Sequence, residues 1–267
     1  MAFNPNELII DRVRYVVAHD IKTNEKLFML TELEDASLNT SAEGEDITDA
    51  VGALITTIYR SKQAEFSATN SLFSLDLAAA QFGSKKEIAA TGAAIIDYTY
   101  EMIDVEKGAT EIKLAHTPVA DSVQYIYAVE NGAASTSYKA GDTADATTFV
   151  IAEDGTITLP TDMFAEAAGK VFVEYQYESE NAVRVVNSAS EFPEVCSAII
   201  YVIFRDVCTE ELLAGKILCK KCKLDPSSVE LALTATGKHP FTFKIQKDFC
   251  GSEDELFTIL VSDEDDE

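Results

Sequence analysis

Residues 54–83, LITTIYRSKQAEFSATNSLFSLDLAAAQFG, decide the fold, because two strand-like runs feed there into the one convincing helix of the chain. Ile55 to Tyr59 is β-branched and aromatic. Past a polar turn at Arg60 to Gln63, Ala64, Phe66 and Ala68 alternate with Glu65, Ser67 and Thr69, the period of two of a half-buried strand. Asn70 stands where an N-cap belongs, since its side-chain oxygen can accept from a free amide of the first turn. Leu72, Leu75, Ala79 and Phe82 then follow at helical spacing, and Phe73, Leu77 and Ala80 make a second apolar stripe. Gly83 is free to take the left-handed conformation that ends a helix. The two stripes predict a helix over 71–82 buried on two sides, lying across a sheet.

Working outward, residues 8–33 read as a β-hairpin with its turn at Asp20 to Glu25. Val13, Tyr15 and Val17 alternate on its first strand. The second carries Leu27, Met29 and Leu33 on one face and Phe28 and Leu30 on the other, which predicts cover on both sides. Residues 34–50, EDASLNTSAEGEDITDA, read as a polar, acidic loop of unusual length, an arm that orders against a neighbouring subunit. After the helix, Ala93 to Met102 is a strand. Residues 107–170 then turn rich in Gly, Ala, Ser, Thr and Asp, with short strands at Glu111 to Ala115, Val123 to Val129, Thr147 to Ile151 and Thr156 to Leu159. That spacing reads as a small inserted β-sandwich module or, since composition shifts mark boundaries only loosely, as part of one continuous fold. Its flanks echo each other, Asp97-Tyr98-Thr99-Tyr100-Glu101 going in and Glu174-Tyr175-Gln176-Tyr177-Glu178 coming out, as neighbouring strands of the core would. The core is assigned to residues 1–106 and 171–267. Ala198 to Val207 reads as a central strand, and Leu212 to Leu224 continues the sheet. Val229, Leu231 and Leu233 alternate, as do Phe241, Phe243 and Ile245, and Leu256 to Val261 is the last strand before a like-charge tail, SDEDDE.

Hydrophobic residues make up 47% of the 267, enough for a packed core, so wholesale disorder is excluded. With 46 acidic against 21 basic residues the formal net charge is −25. A protein that grips nucleic acid must neutralise phosphate with basic residues, so the balance argues against that class but not against a surface past which nucleic acid slides; the plain alternative is that the acidity only maintains solubility. Met1 to Glu7 lacks the basic start of a signal peptide, and no run approaches the ~20 apolar residues of a membrane helix. Five cysteines without a secretory signal point to free thiols in a reducing compartment.

Little in the chain suggests chemistry. Cys219-Lys220-Lys221-Cys222 has metal-ligand spacing, but a zinc site needs four ligands, no second such motif exists, and residues three apart on a strand face opposite sides. His19, His116 and His239 stand alone, and no GxSxG, P-loop or HExxH is present. The expectation is no enzyme activity, no metal and no cofactor. Lys216, Lys220, Lys221 and Lys223 cluster within eight positions. They read either as lysines guarding a strand edge or as a socket for an acidic partner, such as the 34–50 segment of an identical neighbour. Candidate assembly residues are therefore Glu34, Asp35, Glu43, Glu45, Asp46 and Asp49 on one side and the four lysines on the other.

The strand pair, the long polar arm, the run Gln63 to Ser71 leading into an apolar helix ended by Gly83, and the C-terminal Cys219 to Leu224 and His239 to Phe243 stretches resemble the major tail tube proteins of tailed bacteriophages. The likeness covers about residues 8–105 and 172–261. It implies a mainly β fold, a sandwich or barrel core with one flanking helix. It also implies subunits in hexameric rings, stacked into a tube that conducts DNA without binding it. The implied partners are further copies of the chain, the tape measure, terminator and baseplate proteins, and a sheath if the tail contracts, with no membrane. The implied location is the virion tail, assembled in the host cytoplasm. The competing classes are another virion component (a tail terminator, baseplate or capsid-decoration protein) and a cellular β-sandwich binding module.

Overall fold

A computed structural model describes residues 7–130, 132–227, 229–230, 234, 237–248 and 254–262. The alternation at Leu231 and Leu233 and the acidic tail beyond Ser262 lie outside the described residues. Along the chain come β1 (Leu8–Asp20), β2 (Lys26–Leu30), β3 (Leu33–Thr48), β4 (Leu54–Asn70) and α1 (Leu75–Phe82). Next are β5 (Glu87–Ile88), β6 (Ile95–Val105), β7 (Glu111–Lys113), β8 (Tyr125–Glu130), β9 (Ala133–Ala140), β10 (Thr148–Ile151), β11 (Thr156–Thr158), β12 (Gly169–Ser179) and β13 (Val183–Arg184). The last are β14 (Val195–Asp206), β15 (Leu212–Leu224), β16 (His239–Ile245) and β17 (Thr258–Ser262). The fold is mainly β with one helix among the described residues. The chain forms two compact units, residues 1–86 with 185–267, and residues 87–184.

The first unit is an eight-stranded sheet in the order β2-β1-β14-β15-β16-β4-β3, with β17 paired to β15, curled into a nearly closed barrel. Inward positions two apart on each strand fill it: Val16 and Ala18, Phe28 and Leu30, Ala64, Phe66 and Ala68, Ala198 and Ile200, Phe241 and Phe243. Four rings interlock at its centre. Phe28 stacks on Phe243 at 6.1 Å between centroids, and Phe241 lies 5.6 Å from Phe243 and 6.2 Å from Phe66. Each buried phenylalanine contributes about 1.5–3 kcal/mol of transfer free energy. The predicted hairpin of β1 and β2 is present, and Asp20 closes its turn by accepting from the amides of Lys22 and Thr23 at 2.7 and 2.8 Å. The second face of β2 is covered only in part, for Leu27 packs against the core while Met29 is exposed.

Three expectations for this unit are corrected. The polar run at 60–63 is a bulge, not a turn: β4 is one strand, and Ser61 takes φ 53° where the register slips between Ser41 and Glu43. The helix starts later than expected. Ser74, not Asn70, is its cap, with Oγ accepting from the Leu77 amide at 3.3 Å, because β4 holds Asn70 in strand pairing with Leu33 and His239. Leu72 and Phe73 are therefore exposed, and only Leu77, Ala78, Ala79 and Gln81 of the helix are buried. Gly83 ends the helix at φ 70°, and a Cβ there would come within 2.2 Å of the Phe192 carbonyl oxygen.

In the second unit a seven-stranded sheet runs β6-β12-β8-β9-β10-β11-β7. Strands from both ends of that order share one core (Val171 and Val173 with Ile112, Ile126, Phe149 and Ile157), so the sheet folds over on itself. The matching tyrosine flanks are neighbours, with Tyr98 opposite Gln176 and Tyr100 opposite Glu174. They belong to this unit rather than to the barrel, however. Val105, Val171, Val173 and Tyr175 bury their side chains in the module's own core, so its boundary falls at 87 and 184 instead of 107 and 170. The pair β5–β13 forms its neck, where Arg184 donates to Glu87 through Nε and Nη2 at 2.9 and 2.6 Å.

Candidate functional site

Segment 34–50 is a strand, not a loop. β3 pairs with β4 along almost its whole length, and Asp49 builds the connecting turn by accepting from the amides of Val51 and Ala53 at 2.9 and 2.8 Å. Strand β16 backs β4 only from Ala64 to Asn70. Beyond Glu43 and Arg60 the two strands pair, among the described residues, only with each other, over a length of about 20 Å. Nearly every residue of this arm is exposed, including Ile47, Val51, Leu54, Ile55, Ile58 and Tyr59. The Tyr59 ring lies over Gly44, so the cross-strand contact is aromatic on backbone. Thr57 donates to Asp46 at 2.6 Å, and Arg60 lies 3.7 Å from Glu45. A two-stranded hairpin with both faces in water is marginal by itself.

The acidic candidates thus divide. Glu45, Asp46 and Asp49 lie on the arm, with Glu43 at its base. Glu34 and Asp35 lie at the other end of β3, where Asp35 takes φ 50° in a bulge. Glu34 accepts from Lys238 and from Ser71, the latter at 2.7 Å, and these bonds hold its carboxyl below the usual range.

The lysine cluster is brought together by a feature with no sequence signal. Cys196 pairs with Cys222 and Ala198 with Cys219, so three residues of β15 span two of β14. This bulge turns both cysteines inward, correcting the expectation that they face opposite sides. It also leaves Lys216, Lys220, Lys221 and Lys223 all on the outer face. Lys220 meets Glu255 at 2.9 Å, Lys221 lies 4.0 Å from Asp248, and Lys216 sits 5.8 Å from the centre of the Tyr201 ring. Such exposed pairs are worth about 0–1 kcal/mol and exchange readily for other partners. Inside, the Cys196 and Cys222 sulfurs are 3.6 Å apart, and burial pushes the Cys219 thiol up to about 12. Thiols so shielded act as small apolar groups. Cys250 lies outside the described residues.

The register Cys222–Ile245–Ala64 sets the arm on the side toward which β15 runs to Leu212 and β1 to Leu8. Exposed Ile9, Ile10, Val207 and Leu212 lie on that side. At the other end of β16, α1 is fastened by Gln81, which donates to the Pro240 carbonyl at 2.9 Å. Apolar exposure thus continues from the arm onto the barrel beside it, and Leu72, Phe73 and Leu75 around the start of α1 are exposed as well. Among the described residues no helix is long and apolar enough to cross a membrane. A model of the YomU/Tube protein family matches residues 8–254. No curated protein matches the chain.

Proposed function

The chain belongs to the YomU/Tube protein family, and from that premise we propose that it is the repeating subunit of a phage tail tube. In this reading six copies form a ring, rings stack into a conduit for DNA, and the tube resides in the virion tail after assembly in the host cytoplasm. The observation that carries the proposal is the arm formed by residues 43–60, a ribbon whose apolar side chains have no cover among the described residues of its own chain. Docked on an adjacent copy, it would bury Ile47, Leu54, Ile55, Ile58 and Tyr59, at about 1.5–3 kcal/mol for each large side chain fully covered. The four outward lysines offer the acidic arm residues a complementary surface on that neighbour. Edge strands β2 and β3 have unpaired backbone that ring closure would satisfy. A ring carrying six times the subunit's −25 repels phosphate, so DNA would pass without adhering. No catalytic role is part of this proposal.

The arm provides the test. Replacing residues 45–58 by a two-residue Asn-Gly turn should leave the barrel folded, with an unchanged melting temperature, while abolishing polymerisation. Tubes of normal length from the shortened chain would remove the arm from the assembly interface.

A further inference from the structure

On the second unit, β6 is an edge strand with two faces of different character. On one face Asp97 and Glu101 accept from the hydroxyls of Tyr177 and Tyr175, bonds that fasten β6 to β12. The other face is uncovered: Ile96, Tyr98, Tyr100 and Met102 stand in a row, with Tyr98 74% and Tyr100 67% exposed. Across β12 this row meets Glu178, Gln176, Glu174 and Phe172 in turn. Strand β8 extends the face, with Tyr127 opposite Phe172 and Tyr125 exposed two residues earlier. The Tyr100 and Phe172 rings are 5.7 Å apart and those of Tyr127 and Phe172 6.2 Å. Tyr98, Tyr100, Ser122, Glu174 and Gln176 line a groove of about 380 Å³.

We propose that this face binds a neutral polysaccharide strand, laid along β6 over Tyr98 and Tyr100 with its hydroxyls turned toward Glu174 and Gln176. The choice of occupant follows from area and charge. Three strands about eight residues long cover roughly 400 Å², half of the ~800 Å² per partner that a stable protein–protein interface needs. Lys170 is paired with Asp104 at 2.7 Å, and Glu174 and Glu178 outnumber Lys139, which lies opposite Tyr125, so the face keeps a net negative charge. A second copy of the same face would set carboxylate against carboxylate, and an anionic polymer would be repelled. A sugar ring suits what remains, for its C–H face packs on an aromatic ring and its hydroxyls donate to a carboxylate or an amide oxygen. Tyr98 and Tyr100 are about 6.6 Å apart along the strand, within reach of consecutive sugar rings.

The test is calorimetric titration of the full chain with maltohexaose, cellohexaose and the N-acetylglucosamine hexamer. Saturable binding in the millimolar range is expected for at least one, weakened about tenfold by Tyr98→Ala and by Tyr100→Ala and retained by Tyr98→Phe. Because both rings are exposed, the melting temperature should not move, which separates lost binding from lost folding. No heat from any of the three sugars, or binding indifferent to the Tyr98→Ala/Tyr100→Ala double variant, overturns the proposal. Loss of concentration-dependent dimers in that double variant, without a sugar response in the parent, also overturns it and gives the face to a second copy.

Discussion

His239 is fully buried, and its surroundings require the neutral ring. Its Nδ1 accepts from the Ser74 amide at 3.4 Å, so the proton sits on Nε2, which lies 2.7 Å from Gln81 Oε1 and donates to it. A second proton would face that amide at the positive end of α1, whose first-turn carboxylate, Asp76, is already paired with Lys86. Burial accordingly holds the pKa below 6.5. Between the folded value and 6.5 the unfolded chain binds more protons, so this contribution to stability is complete above pH 6.5 and is lost as pH falls through that window. Denaturant melts on either side of pH 6.5 should show a drop that His239→Gln removes; equal slopes for the two proteins would mean that the ring is not held neutral. Nothing in the sequence tied this histidine to Gln81, because a pair 158 positions apart leaves no local pattern.

At the scale of elements, what was legible depended on whether the side chains or the backbone carried the signal. Apolar alternation marked β1, β4 and β16, and a run apolar on both faces marked β14. β3 and β9 were missed because their residues are mostly polar and exposed, and each is held as a strand by hydrogen bonds to a partner, β4 or β8. The lysine cluster was legible as a cluster, but its common facing was not, since a backbone bulge decides it. Helix α1 was found, but its apolar stripes overstated its burial. The consequence is measurable: Phe66→Ala should cost about 3–5 kcal/mol. Phe73, 57% exposed and stacked on His239 at 5.2 Å, should cost less than about 1 kcal/mol on the same change. A larger loss at Phe73 than at Phe66 would place the helix start inside the core.

For the molecule as a whole, the change in composition at residue 107 marked an insertion but not its limits, because β6 and β12 are as apolar as barrel strands while serving the module's core. The two possible boundaries predict different deletions. Cutting at the neck, with residues 89–182 replaced by a Gly/Ser linker, should leave a soluble, folded barrel. Removing only residues 108–168 would strip the cover from Val105, Val171 and Val173, and that chain should be insoluble. The reverse result would return β6 and β12 to the barrel. The tube itself is tested most directly by electron microscopy of the purified full-length chain at rising concentration. Hollow tubes built of stacked six-fold rings are expected, and particles that stay monomeric at every concentration would rule the tube out.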